Sequence, residues 1–142
     1  MSADTPAAAE AAFYAAFEQS DLERMMEVWA PHADITCVHP LAGPLVGPSA
    51  IRASWVEIFL NEVPRRFELE PIWVSTTEAT AIHTLYETIT LPLSRQRFPA
   101  LVATNVYHRL AGQWRMVLHH ASVVGPSELP PVVVSQTPST RH

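Results

Sequence analysis

The 142-residue chain contains one cysteine, four glycines and few charged residues, 16% in all. A lone cysteine, Cys37, excludes an internal disulfide framework and a thiolate metal cluster. The net charge of −5 provides no basic surface for nucleic acid or for an anionic membrane, so neither is expected as a partner. The glycines are scattered, and no glycine-rich phosphate loop occurs.

The chain also lacks a long hydrophobic run. Its longest uncharged stretch, residues 35–51, is interrupted repeatedly by proline and glycine, which argues against a membrane-spanning helix. Asp4 and Glu10 lie where a signal peptide would be uncharged. At 142 residues, 48% of them hydrophobic, the chain is predicted to form one domain with a substantial core. With neither a signal peptide nor a membrane-spanning helix expected, we predict a soluble, cytoplasmic protein.

Three helices are predicted from capping signals and helical spacing of apolar residues. Thr5-Pro6 fits an N-cap followed by proline at the first helical position. Ser20–Glu23 fits a capping box for a second helix, which Pro31 stops. A third helix begins at Ser49, after a proline- and glycine-rich segment that is expected to lack regular structure. The predicted helices are 6–19, 20–30 and 49–61.

The remaining pattern has a period of two and predicts strands. The last two form a hairpin around Ala111-Gly112. Helices followed by consecutive strands indicate an α+β fold, with helices packed on one face of a curved antiparallel sheet. The domain is predicted to span residues 1–124, with an extended proline-rich tail at 125–142. The predicted strands are 35–39, 67–73, 77–91, 100–110 and 113–123.

This order resembles the SnoaL-like and ketosteroid-isomerase-like branch of the nuclear transport factor 2-like (NTF2-like) superfamily. The motifs that carry the resemblance are Phe13-Tyr-Ala-Ala-Phe, Trp29-Ala-Pro-His-Ala-Asp, His39-Pro40 and the hairpin from Thr104 to Ser122. The resemblance implies a cone-shaped fold in which three N-terminal helices wrap a strongly curved, mixed-edge sheet. It also implies a homodimer, whose interface would use the sheet face bearing Thr84, Tyr86, Thr88 and Val106.

The same resemblance gives candidate site residues by position. Ketosteroid isomerases have an aspartate base before a proline at the end of the first strand, where this chain has His39. Their helix-one tyrosine aligns with Phe13 rather than Tyr14, and their second acid corresponds to Asn105. Phe13 and Asn105 lack the acidic hydrogens of the tyrosine and the acid that they replace, so steroid isomerisation is not expected.

His39 is the first candidate from the residues themselves. Alternation places Ile35, Cys37 and His39 on one face of their strand, and the apolar members mark that face as inward. An inward histidine at a strand end can be a general base, since its ordinary pKa of about 6.5 suits that task. It can also be a ligand-binding group or a hydrogen-bonded core residue.

The final hairpin supplies two more candidates. His120 shares a strand face with the apolar Trp114, Met116 and Leu118, so it is predicted to point inward and His119 outward. A two-residue turn would place Asn105 opposite Leu118, on the same inner face as His120. Asn105 would then donate to a developing enolate oxygen, and His120 would position or protonate it. Glu87 shares a face with His83 and is a second candidate base or an orienting partner, although a structural pairing with Arg109 is an alternative.

Two functional hypotheses follow. The first is cofactor-free acid–base chemistry, of isomerase, dehydratase or cyclase type, on a small apolar carbonyl compound. The second is a non-catalytic module that binds a small ligand or assembles subunits. No cofactor is expected, and no HxH or HExxH spacing indicates a metal. An open pocket would favour the enzyme, whereas tryptophans filling that space would favour the module. The predicted pocket residues are Tyr14, Trp29, Trp55, Phe59, Trp73 and Leu118.

Overall fold

The computed structural model describes residues 3–125, so the predicted tail lies outside the described residues apart from Gly125. Three α-helices precede or interrupt a series of seven β-strands. The helices are α1 (Pro6–Gln19), α2 (Leu22–Val28) and α3 (Pro48–Ile58). The strands are β1 (Thr36–Val38), β2 (Pro44–Val46), β3 (Arg66–Thr76), β4 (Thr80–Leu91), β5 (Gln96–Arg97), β6 (Leu101–Leu110) and β7 (Gln113–Val123).

The helix starts follow local capping. The Thr5 side chain accepts a hydrogen bond from the Ala8 amide at 3.0 Å, and Pro6 occupies the first helical position, as predicted. The predicted cap of α2 is wrong by one residue, because Asp21 rather than Ser20 accepts from the Arg24 amide. Ser20 instead ends α1 in the left-handed conformation.

The sheet has the order β2-β1-β7-β6-β4-β3, with β5 paired to β4. β1 runs parallel to β7, and the other strand pairs are antiparallel. The α+β architecture with a curved, mixed sheet and three helices is therefore confirmed. The segment around Pro44, expected to lack regular structure, forms β2 because proline is tolerated at the start of an edge strand.

The helices pack on the inner face of the sheet around large aromatic side chains. Trp29 and Trp55 are fully buried, and the Trp55 ring lies 5.7 Å from Phe13 and 4.8 Å from Phe17. Phe59 is also buried. These side chains fill the space between helices and sheet, so they pack the core rather than line the open pocket predicted there, which is the arrangement expected of the non-catalytic module.

A β-bulge in β3 reverses the orientation of Trp73. Pro71 pairs with Leu85 and Trp73 pairs with Thr84, which leaves Ile72 as an extra residue. One extra residue moves every later side chain to the opposite face. Trp73 consequently lies on the outer face with 69% of its surface exposed, and its predicted place in a pocket is wrong.

A second bulge in β7 has the same effect on the final hairpin. The two-residue turn is confirmed by the pairing of Leu110 with Gln113. Farther along, Tyr107 pairs with Met116 but Val106 pairs with Leu118, so Val117 is the extra residue.

The consequence of this second bulge is that the predicted orientations beyond it are inverted. His119 is buried opposite Asn105, whereas His120 is exposed. Leu118 lies opposite Val106 on the outer face rather than opposite Asn105. The predicted inward positions of His120 and Leu118 are therefore wrong, and Val117 is the physical reason.

The bulge predicts different costs for truncating the two adjacent histidines. His119→Ala should lower the free energy of unfolding by about 2–4 kcal/mol, since it leaves a cavity and an unpaired buried group. His120→Ala, at an exposed position, should change it by about 0.5 kcal/mol or less. Urea denaturation of both variants tests this. Equal costs, or a larger cost for His120→Ala, would contradict the orientation.

Candidate functional site

His39 lies where the strand pattern predicts, with Ile35 and Cys37 buried on the same face. Its Nε2 atom is 3.0 Å from Ser54 Oγ, and Ser54 Oγ donates to the Ile51 carbonyl at 2.7 Å. Because the single hydroxyl hydrogen of Ser54 is used there, the serine oxygen accepts from His39 Nε2–H. Burial lowers the pKa of His39, which favours this neutral form. This hydrogen bond ties the residue after β1 to α3 and is a structural contact.

Cys37 lies beside this contact and shows no sign of activation. Burial raises the pKa of its thiol to about 12, so the nucleophilic thiolate is disfavoured. The side chain is fully buried and fills space in the core.

Four buried polar side chains form a hydrogen-bonded chain across the interior. Tyr14 of α1 donates its hydroxyl hydrogen to Glu87 of β4. Asn105 of β6 donates from Nδ2 to the Tyr14 oxygen at 3.0 Å. His119 of β7 lies at the other end, with Nδ1 2.6 Å from Asn105 Oδ1. We refer to Glu87, Tyr14, Asn105 and His119 as the polar chain.

The polar chain has one direction. The amide nitrogen of Asn105 can only donate, so the Tyr14 oxygen accepts from it and the Tyr14 hydrogen is left for Glu87. The amide oxygen of Asn105 can only accept, so His119 carries its hydrogen on Nδ1. In each hydrogen bond of the polar chain, the donor therefore lies on the His119 side and the acceptor on the Glu87 side.

Burial shifts the pKa values of Glu87 and His119, the two ends of the polar chain, in opposite directions. The pKa of Glu87 is raised to about 7, mainly by burial and further by the Glu10 carboxylate, against the opposing effect of the Tyr14 hydrogen bond. Burial lowers the pKa of His119 to about 3, with smaller contributions from His39 and His120. Burial and Glu87 both raise the pKa of Tyr14. Within the polar chain, Glu87 therefore titrates near neutral pH, the range that suits a general acid or base.

An apolar groove of about 480 Å³ lies at the end of β4 that follows Glu87; Glu87 itself is 2% exposed and is not among the described residues that line the groove. Glu87 pairs with Leu101, which lines the groove, and shares a face of β4 with Ile89, which also lines it. Arg65 is the charged residue of the lining; it donates to the Phe17 carbonyl at 2.8 Å, and its guanidinium lies over the Phe17 ring. The remaining lining residues are Leu91, Phe98, Pro99, Ala100 and Val123.

The structure thus brings together Tyr14, Asn105 and Glu87 from the predicted set and leaves His39 outside the polar chain. His119 was missed, because strand alternation without a bulge turns it outward. A signal for the bulge is present in the sequence: Met116-Val-Leu118 is a run of three apolar residues that breaks the alternation.

Neither a metal centre nor a membrane span emerges from the described residues. Within residues 3–125, no three histidine, cysteine, aspartate or glutamate side chains come together to hold a metal ion. In the same part of the chain, no helix is both long and apolar enough to cross a membrane.

Comparison with known proteins identifies the family. Residues 7–126 match the SnoaL-like domain. The chain belongs to the SnoaL-like domain family. No protein of curated function matches this SnoaL-like chain.

Solved structures place the SnoaL-like chain in the NTF2-like superfamily. A protein from Thiobacillus denitrificans, described as a calcium/calmodulin-dependent protein kinase type II association domain, is 42% identical, with a TM-score of 0.83 over 88% of this chain and 99% of its own. A protein from Streptomyces avermitilis, described as a dehydratase of the NTF2-like family, is 33% identical, with a TM-score of 0.75 over 83% and 92%. A ketosteroid isomerase-like protein from Erwinia carotovora atroseptica, 19% identical, shares the fold with a TM-score of 0.66 over 84% and 94%.

The raised pKa of Glu87 predicts a pH-dependent stability. The folded chain retains this proton up to about pH 7, whereas the ordinary glutamate pKa is 4.5. The folded state binds more protons between these values, so the Glu87 contribution to the free energy of unfolding falls as pH rises, by on the order of 3 kcal/mol. Glu87→Gln keeps an acceptor for Tyr14 but cannot ionise. It should therefore be more stable relative to wild type at pH 8 than at pH 5.

Urea denaturation at several pH values measures this difference. Glu57→Gln, at an exposed position on α3, is the matched control and should follow wild type throughout. A stability difference between Glu87→Gln and wild type that does not vary with pH would contradict the raised pKa.

Proposed function

We propose that this SnoaL-like protein catalyses proton transfer on a small, largely apolar carbonyl compound, with Glu87 as the base. The observation that carries the proposal is a buried carboxylate with a pKa of about 7 beside an apolar groove. The apolar lining favours a hydrophobic substrate, and the groove volume of about 480 Å³ is within the range of small-molecule sites.

The proposed step is removal of a proton from the carbon next to the substrate carbonyl. The C–H bond breaks, its proton passes to Glu87, and its electron pair becomes the enolate. The Arg65 guanidinium, which lines the same groove, would stabilise the enolate oxygen. Return of the proton to another carbon gives isomerisation, whereas loss of a neighbouring hydroxide gives dehydration. The 33% identity to a protein described as a dehydratase supports this class of chemistry.

Neither His39 nor Asn105 acts on the substrate in the proposed step. His39 donates Nε2–H to Ser54, and neither residue lines the groove, whereas Leu101 and Ile89, the neighbours of Glu87, do. Asn105 is fully buried, does not line the groove and is bonded to Tyr14 and His119, so it holds Tyr14 in position rather than donating to a substrate.

Exchange of substrate protons with solvent tests the base directly, because exchange requires only the first proton-transfer step. Cyclohexanone and 4-phenylbutan-2-one, incubated with the protein in D₂O, should gain deuterium next to the carbonyl faster than in buffer, as followed by proton NMR. Glu87→Gln should reduce the protein-dependent rate by at least about 100-fold, the usual loss for a general base. Glu57→Gln should retain it. Equal rates for wild type and Glu87→Gln would overturn the assignment of Glu87.

A specific observation supports a second function, self-association through the outer face of the sheet. Trp73, Ile82 and Tyr86 are exposed there. Ile82 pairs with Val106 and Tyr86 with Val102, so the apolar residues continue across β4 and β6. An exposed apolar patch of this kind is typical of an interface. We propose that this face pairs with a second copy of the chain in a homodimer, and the 42% identity to a protein described as an association domain supports it.

Trp73→Glu should disrupt this pairing, because it places a charge in a desolvated apolar contact. Size-exclusion chromatography with light scattering should give about twice the 15.7 kDa chain mass for wild type and the single-chain mass for the variant. Leu60→Glu, at an exposed position outside the sheet, should remain dimeric. A monomeric wild type, or a dimeric Trp73→Glu variant, would rule out this interface.

A further inference from the structure

A second cavity, of about 300 Å³, opens between the start of α1 and the strands β3 and β4. It is separate from the groove beside Glu87, since within residues 3–125 the two share no lining residue. Among the described residues, five polar and five apolar ones line it, and the polar ones are Glu10, His83 and three threonines, Thr5, Thr76 and Thr84. Those used below are Glu10, His83, Pro6, Pro71, Val74 and Leu85.

Glu10 and His83 form a tightly bonded pair in the wall of this cavity. Glu10 Oε1 lies 2.6 Å from His83 Nδ1, and the carboxylate accepts the Nδ1 hydrogen. The ring is 6% exposed and lies 5.2 Å from the ring of Tyr107. Because the carboxylate and the tyrosine hold the imidazole, its orientation is fixed.

The other ring nitrogen of His83 is available for a ligand. Among residues 3–125, Nε2 makes no hydrogen bond, while the residue lines the cavity. When the ring is neutral, Nε2 accepts a hydrogen bond; when it is protonated, Nε2 donates one. A hydroxyl group can both donate and accept, so it satisfies Nε2 in either state. A carbonyl or an ether can only accept.

The rest of the cavity specifies the body of that ligand. Pro6, Pro71, Val74 and Leu85 provide apolar walls. The Glu10 carboxylate disfavours an anion, and its engagement with His83 leaves it less available to bind a cation. A volume of about 300 Å³ is at the lower end of ligand sites and accommodates a molecule of about one ring.

We propose that this cavity binds a small neutral alcohol or phenol, whose hydroxyl group bonds to Nε2 of His83 and whose apolar body packs against the proline, valine and leucine walls. The site is independent of the function proposed for Glu87. Glu10 acts as a positioning residue, since it orients the imidazole without itself being required to contact the ligand.

Paired probes test the proposal. In fluorine NMR titrations, 4-fluorobenzyl alcohol should bind with a dissociation constant on the order of 1–10 mM, a value reasonable for so few atoms. Its methyl ether has the same ring but no hydroxyl hydrogen, and should bind at least about tenfold more weakly. Nitrogen–proton correlation spectra should show shifts at the Ala7, Glu10 and Thr84 amides, all at the cavity.

Matched variants assign the effect to His83. His83→Phe keeps a ring but removes Nε2, and should weaken binding of the alcohol at least about tenfold. His120→Phe, at an exposed position on β7, should bind like wild type. Glu87→Gln should also bind like wild type, so failure of this site and failure of the Glu87 proposal give different results.

Three outcomes would overturn the proposal. Equal affinities for the alcohol and the ether would show that the hydroxyl group is not recognised. Shifts confined to Ile89, Leu101 and Val123 would place the probe in the groove beside Glu87 instead. No binding of the alcohol at 20 mM, roughly twice the weakest affinity expected, would show that the cavity does not take this class of ligand.

Discussion

One extra residue, Val117, determines which face of the sheet the side chains at the end of β7 point to. Tyr107 pairs with Met116 on one side of the bulge, and Val106 pairs with Leu118 on the other, so Val117 has no partner of its own. After this bulge, His119 faces the helices and meets Asn105, and the polar chain gains its last donor. Without the bulge an outward His119 would leave Asn105 Oδ1 with no partner from β7. Because bulges also bend and twist the strands that contain them, Val117 and Ile72 favour the curvature that wraps the sheet around its core.

The polar chain in turn sets the chemistry of Glu87. A buried amide with one donor end and one acceptor end fixes the sense of every neighbouring hydrogen bond, so Asn105 determines that Tyr14 donates to the carboxylate. That hydrogen bond lowers the pKa of Glu87 and burial raises it, with burial the larger effect. The resulting pKa of about 7 is a balance of burial and the Glu10 charge, which raise it, against the Tyr14 hydrogen bond, which lowers it. A fully bonded chain also avoids the large cost of an unpaired polar group in the core.

Local signals predicted much of the fold, and non-local pairing accounts for most of what they missed. The start of α1 at Pro6 and the turn of the last hairpin follow from capping and turn chemistry, which involve only adjacent residues. Alternation along β4 placed Glu87 inward, because no bulge precedes it in that strand. The orientations predicted for Trp73 and His120 are wrong, because strand alternation predicts a side chain's face only when no bulge interrupts the strand. Composition shows that Trp55 is apolar, but only packing shows that it fills the core.

The packed core limits where the polar chain can exchange a proton with another molecule. At the His119 end, the centre of the Phe13 ring lies 4.8 Å from the centre of the imidazole, and His119 is almost completely buried. At the other end, Glu87 is 2% exposed and its neighbours Leu101 and Ile89 line the apolar groove, so this is the end that we propose a substrate approaches. Glu10, which lines the second cavity, raises the pKa of Glu87 through its charge. A neutral alcohol bound at His83 leaves the Glu10 charge in place, so its binding does not alter the pKa of Glu87, and the two sites act independently.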